Sequence, residues 1–213
     1  MFKEFNLQDI LSFEQRYRAT FINSVGGFKS VALIGTKNSS GQTNLAIFNS
    51  LVHIGANPPL LGFIVRPDSV ERHTLENILE TNFFTVNHIT ENFYLRAHQT
   101  SARYPRNISE FEASGLTEYY RDDFHAPFVE ESPVQIAVEF QQKTDLTING
   151  TILIIGLIKF IRIPQVSLSA DGFVDLNKSG TITCVGLDAY YKTAILSRLS
   201  YAKPDKHPIP LNG

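Results

Sequence analysis

Two short stretches of this 213-residue sequence carry side chains able to hold a molecule with a phosphate at one end and a flat, heteroatom-edged ring at the other. In Thr43 to Leu51, the two-residue period of a strand puts Asn44, Ala46, Phe48 and Ser50 on one side and Leu45, Ile47 and Asn49 on the other. Ala46 is small enough to let a planar ring lie against the backbone, and Asn44 and Ser50 add donors and acceptors on the same side. Asn49 reaches that side only if the strand bends or ends there. In Arg66 to Thr74, RPDSVERHT, a guanidinium at Arg66 or Arg72, the Thr74 hydroxyl and the open N–H groups of a helix start suit a dianionic phosphate. Each stretch also has a plainer account: a strand with polar residues on its wet face, and arginines that are solvated or paired with Glu71 and Glu76.

Other chemistry is poorly supplied. The six histidines never recur as a paired ligand motif on one helix, so no metal site is expected. There is no glycine-rich strand-to-helix loop for a dinucleotide or nucleoside triphosphate, and no serine nucleophile elbow. The lone Cys184 lies in the apolar run TITCVG, where a buried, inert thiol is expected. The pairs Phe83-Phe84 and Tyr190-Tyr191 suit a pocket lining, a subunit contact or simple core packing.

The elements that must position these residues read as an antiparallel meander. SVALIGT and TNLAIFNSLVHIG flank a Ser-Ser-Gly loop in which Gly41 can take a positive φ, Pro58-Pro59 ends the second run, and LLGFIV follows. Near-helical spacing of Val70, Leu75, Ile78 and Leu79 predicts a helix from about Val70 to Glu80, capped by Asp68 or Ser69. FFTVNHI reads as a strand, ITENFYLRAHQTS as a short helix, and ISEFEASG as another closed by Gly115. PVQIAVEFQQKTDL and TILIIGLIKFIRI form a long hairpin about Ile148-Asn149-Gly150, and Val185 onward reads as a helix or an irregular cover with a proline-rich tail. The expected fold is mainly β: one domain over residues 1–213, core about 15–203, built as a closed antiparallel split β-barrel with peripheral helices.

A net charge of −2 with scattered Lys and Arg leaves no basic stripe for nucleic acid. The N-terminus lacks the pattern of an export signal, and the longest apolar stretch, Thr151 to Ile158, is too short to span a bilayer. A soluble protein of the reducing cytoplasm is expected, since its single cysteine has no partner.

The order of segments resembles the flavin-reductase-like family. RYRATFINSVGGFKSVALIGT, GQTNLAIFNSLVHIGANPPLLGFIVRPDSVERHTLENI and ETNFFTVN are similar to that family in sequence, with its Asn-x-Ala strand at Asn44 to Ala46, its Pro-Pro turn at Asn57 to Pro59, its Arg-before-Thr at Arg72 to Thr74 and its Phe-x-Val-Asn strand at Phe84 to Asn87. TSARYPRNISEFEASGLT and GLDAYY look like later segments of it. The resemblance implies a split-barrel homodimer binding FMN near the subunit interface, with NAD(P)H as hydride donor in the enzymatic members. It carries flavin contact onto Lys29 and Ser30, onto Asn44, Leu45, Ala46, Asn49, Ser50 and Leu51, and phosphate contact onto Arg66, Arg72 and Thr74. The chain departs from the pattern at Gly27-Phe28-Lys29, where many members have Pro-Arg-Pro, and at Asn49, where many have Ser. Lys29 is the candidate replacement for the lost charge, near the ring edge. The activity implied is that of an FMN-dependent oxidoreductase similar to NAD(P)H:flavin reductases. The alternatives are a non-catalytic FMN-binding electron carrier and, more distantly, a barrel without cofactor that serves as an interaction module.

Overall fold

β-branched runs broken by turn residues give the chain its long strands, and the computed structural model describes residues 1–67, 69–121 and 123–211. Helices α1 (Leu7–Ser12) and α2 (Gln15–Val25) lead into β1 (Lys29–Ser30), β2 (Ala32–Lys37), β3 (Thr43–Phe48), β4 (Val52–Ala56) and β5 (Pro59–Val65). Helix α3 (His73–Thr81) and β6 (Phe83–His88) follow, then α4 (Tyr94–Gln99), α5 (Glu110–Ser114), β7 (Glu118–Tyr119) and β8 (Phe128–Val129). The long pair β9 (Gln135–Leu146) and β10 (Thr151–Arg162) precedes short β11 (Thr183–Val185) and β12 (Ala189–Tyr191). Gly41 at φ +88° and Gly150 at φ +72° sit in the turns of the two hairpins expected from the sequence, where a positive φ favours glycine.

Seven strands form one antiparallel sheet in the order β3-β2-β6-β9-β10-β5-β4. Its two edges, β3 and β4, are consecutive in the chain, separated only by Asn49, Ser50 and Leu51. No ladder joins them, so hydrogen bonding among the described residues does not complete the closed barrel that was expected. The chain itself passes from one edge to the other. The cause is local: Val52 pairs with Gly62, and two residues earlier the Ser50 hydroxyl replaces a main-chain group. That hydroxyl accepts from the Ile64 N–H at 3.0 Å and donates to the Ile64 carbonyl at 3.1 Å, while the backbone leaves β5 to pair with β2. The run TNLAIFNSLVHIG is therefore two strands.

The alternation of β2 divides the interior. Ala32 and Ile34 enter a core with Phe63, Phe84, Val138 and Ile154, whereas Val31 and Leu33 face a second core with Leu45, Phe93, Phe111 and Cys184 beneath α4 and α5. Neither α1 nor α2 buries a residue, and Phe13 packs its ring edge-on against Phe5, Tyr17 and Phe21. After β12 the chain is an irregular arm rather than a helix, folded back so that Ser200 N–H meets the Ile209 carbonyl at 2.9 Å. Among the described residues no helix is long and apolar enough to cross a membrane.

His88, at the end of β6, has Nδ1 3.3 Å from Thr181 Oγ1, and burial drives its pKa down from 6.5 to about 4. The folded state therefore resists a proton that the unfolded chain accepts. Above pH 6.5 both states are neutral and His88 costs nothing; as pH falls from 6.5 towards 4, the unfolded state gains protons and stability drops. The full loss is at most about 3 kcal/mol, reduced by the part of the ring that solvent reaches. The urea midpoint of the wild type should fall over this window more steeply than that of His88→Gln. Equal slopes would remove His88 as the cause.

Candidate functional site

Where β3 gives way to β4, the walls of the two cores part around a cavity of about 770 Å³, within the ~300–1,000 Å³ range of small-molecule sites. Asn44, Ala46, Asn49 and Ser50 line it from β3 and its corner, and Arg66, Arg72 and Thr74 from the end of β5 and the start of α3. The two stretches singled out by residue chemistry thus share one hollow.

Asn44 is buried, and its Nδ2 donates to Thr74 Oγ1 at 2.9 Å, so the threonine oxygen is an acceptor there and keeps its own proton to give elsewhere. Helix α3 begins at His73, three residues later than the sequence pattern suggests. Arg72 at φ −128°, ψ 78° is extended, and the first helical bond runs from Glu76 N–H to the Arg72 carbonyl at 2.9 Å. Ser69 does not cap this helix, and Asp68 lies outside the described residues. The Arg72 N–H donates instead to the Glu76 carboxylate at 3.0 Å, and its Nε and Nη2 hold the Pro67 carbonyl at 3.1 and 3.0 Å. With no side-chain cap on α3, its first-turn N–H groups open beside Arg72 and Thr74. Val70, expected inside the helix, precedes it and is exposed.

Because β3 ends at Phe48, Asn49 does reach the cavity, and its Nδ2 donates to the Gly186 carbonyl at 2.8 Å, tying the corner to the loop before β12. Four expected contacts are not on the wall. Leu45 points into the second core and gives its N–H to the Glu110 carboxylate at 2.9 Å; Leu51 packs against the first core. Lys29 and Ser30 lie on β1, where Lys29 faces Cys184 across the ladder, and it is Cys184 that lines the cavity.

Tyr190, of the aromatic pair offered as a pocket lining, is on the wall, whereas Arg103, Tyr104, His98 and Glu110, which also line the cavity, were not foreseen from residue chemistry. Burial raises the Glu110 carboxyl above its usual range, an effect opposed by the Leu45 N–H. Burial, aided by Cys184 and Asp188, pushes the Tyr190 phenol up to about 12, and its hydroxyl lies 2.7 Å from His98 Nδ1. Burial also raises the Cys184 thiol, an effect opposed by a hydrogen bond from Asn49 and by the charge of Lys29. No spacing rule joins Arg103 to Thr74; only the order of segments hinted at TSARYPR.

A sequence profile of the flavin reductase like domain matches residues 28–171. The chain belongs to the flavin-reductase-like family. This flavin-reductase-like protein is similar, with a TM-score of 0.91, to a split-barrel structure assigned as a flavin reductase from Shewanella frigidimarina NCIMB 400, 48% identical over 94% of this chain and 100% of that one. It is similar in fold to nitrilotriacetate monooxygenase component B from Bacillus cereus, 20% identical with a TM-score of 0.81 over 93% and 99% of the two chains. It also resembles in fold the flavoredoxin of Desulfovibrio vulgaris (Miyazaki F), 21% identical with a TM-score of 0.68 over 84% and 91%. The flavin-reductase-like protein spans 55% and 61% of the length of two curated relatives that it matches.

Proposed function

We propose that this flavin-reductase-like protein binds FMN in the cavity at the β3 corner and works as an FMN-dependent oxidoreductase of the NAD(P)H:flavin reductase kind. The observation that carries this reading is the meeting of Asn44, Thr74 and Arg72 beside Ala46, which sets phosphate donors and a wall without bulk in the same hollow. The donor set fits a phosphate dianion: a guanidinium held by Pro67, a threonine hydroxyl with a proton to give, the uncapped first turn of α3, and exposed Arg66. At the ring end Ser50 is committed to Ile64, so Asn49 Oδ1 and main-chain groups of the corner supply the polar contacts. Lys29 is off the wall, and the phosphate end supports the reading better than the ring end does. When bound, FMN supplies hydride and electron transfer; the protein holds and orients it and limits water at the ring. Tyr190, kept protonated, and His98 share a proton-bearing hydrogen bond on the far wall, while Glu110 pins β3 through the Leu45 N–H.

A second copy of the chain is part of this reading. Two helices with no buried residue, and an arm that leaves Leu196 100% and Tyr201 89% exposed, present more apolar surface than a lone chain keeps in water. One preparation tests these points. Purified protein should absorb in the blue with about one FMN per chain, have a solution mass near twice 23.9 kDa, and oxidise NADH or NADPH steadily with added flavin. Tight FMN without nicotinamide turnover would replace the reductase reading by the electron carrier. A colourless protein showing no heat with FMN would end both, and a mass of one chain would remove the dimer.

A further inference from the structure

A second cavity, of about 670 Å³, opens on the outer face of the sheet and shares no lining residue with the first. On β9, Ile136 and Val138 point inward to the core, which leaves Ala137 and Glu139 as its floor. Aromatic rings make most of its walls. Phe83 meets Phe124 with centroids 5.3 Å apart, Phe124 meets Phe128 at 5.8 Å, and Phe128 meets Tyr119 at 6.3 Å.

Its cations are unequal. Lys159 is paired with Glu139 at 2.9 Å, but Arg121 lies over the Phe160 ring, 3.8 Å from the centroid, and its side chain makes no hydrogen bond or ion pair with a described residue. A guanidinium carries five N–H donors in a fork that matches a carboxylate. Here that fork stands unspent at the edge of an aromatic hollow. The two tyrosines beside it already hold cations, with Lys37 4.6 Å over Tyr120 and Arg162 5.4 Å over Tyr119, so a cationic ligand would meet like charges there. We propose that this cavity binds a flat aromatic carboxylate, its ring laid against the half-buried Phe83 and Phe124 and its carboxylate taken in bidentate fashion by Arg121, which Phe160 holds in place.

The chain has no tryptophan, so binding of a fluorescent aromatic acid can be read against a low background. 2-Naphthoate, with neutral 2-naphthamide as its control, is titrated into the full-length protein with and without saturating FMN. Saturable naphthoate binding is expected, unchanged by FMN. Arg121→Met, an exposed position, should weaken naphthoate by about tenfold or more and change naphthamide by less than about threefold. Phe124→Leu should weaken both. No saturable naphthoate binding would overturn the proposal. So would displacement of naphthoate by FMN, which assigns it to the first cavity, or equal affinity in folded Arg121→Met.

Discussion

Replacing Arg72 and Thr74 together by alanine should weaken FMN binding about 100-fold or more and leave riboflavin, which lacks the phosphate, within about threefold of the wild type. Hydrogen bonds to a charged group contribute roughly 1.5–3 kcal/mol each, so two lost together amount to about 3–6 kcal/mol. The geometry suits the larger part of that range. Asn44 fills the acceptor role of Thr74 Oγ1 and thereby directs its proton, and Pro67 holds two of the Arg72 nitrogens, so little ordering remains to be done on binding. Thr74→Ser should retain most of the affinity, whereas Arg72→Lys should fall between the two because it keeps the charge without the fork. Thr74→Ala also leaves the buried Asn44 amide short of a partner, so its stability is measured alongside by urea denaturation. FMN affinity retained in the double variant, by calorimetry, would put the phosphate elsewhere in the cavity.

Gly35→Ala should destabilise the fold by about 3 kcal/mol or more. Glycine-to-alanine changes often stabilise by about 0.4–1 kcal/mol through the unfolded chain where the backbone tolerates a side chain. Gly35 has an ordinary φ, so the sign is decided by space. A Cβ there would stand 2.3 Å from the Pro127 carbonyl oxygen and 2.6 Å from Thr85 Oγ1. Those two atoms belong to a buried polar chain: Thr85 donates to Pro127 at 2.6 Å and accepts from Asn87 at 2.9 Å, and Asn87 in turn accepts from the Val129 N–H at 3.0 Å. A methyl cannot enter without parting that chain, whose members have no water to turn to. The urea midpoint is expected to drop by more than about 1 M with an unchanged slope. An unchanged midpoint would show that the Pro127 loop yields at no cost.

Much of this architecture was legible because it depends on short-range rules. The β2–β3 and β9–β10 hairpins follow from alternation and from Gly41 and Gly150, and α5 ends at Gly115 as its sequence suggests. The phosphate and ring stretches were legible as chemistry, though not as neighbours, since nothing within nine residues of Asn44 announces a partner at Thr74. What stayed hidden depends on distant contacts. The late start of α3 comes from an extended Arg72 whose N–H is satisfied by Glu76. The break between β3 and β4 comes from a hydroxyl bonded to a residue fourteen positions on. Arg103 and Tyr104 reach the cavity from a segment with no periodicity of its own.

At the Ser50 corner the cavity wall is held by a side chain in place of a ladder. Parting neighbouring strands anywhere else in the large sheet means unzipping a ladder, whereas at the corner one hydroxyl carries both bonds to Ile64. The Ile64 amide is expected to exchange its hydrogen faster than the amides of the β9–β10 hairpin, with twelve residues in each strand. Opening at the corner would then widen the cavity without unzipping the ladders that hold the fold together.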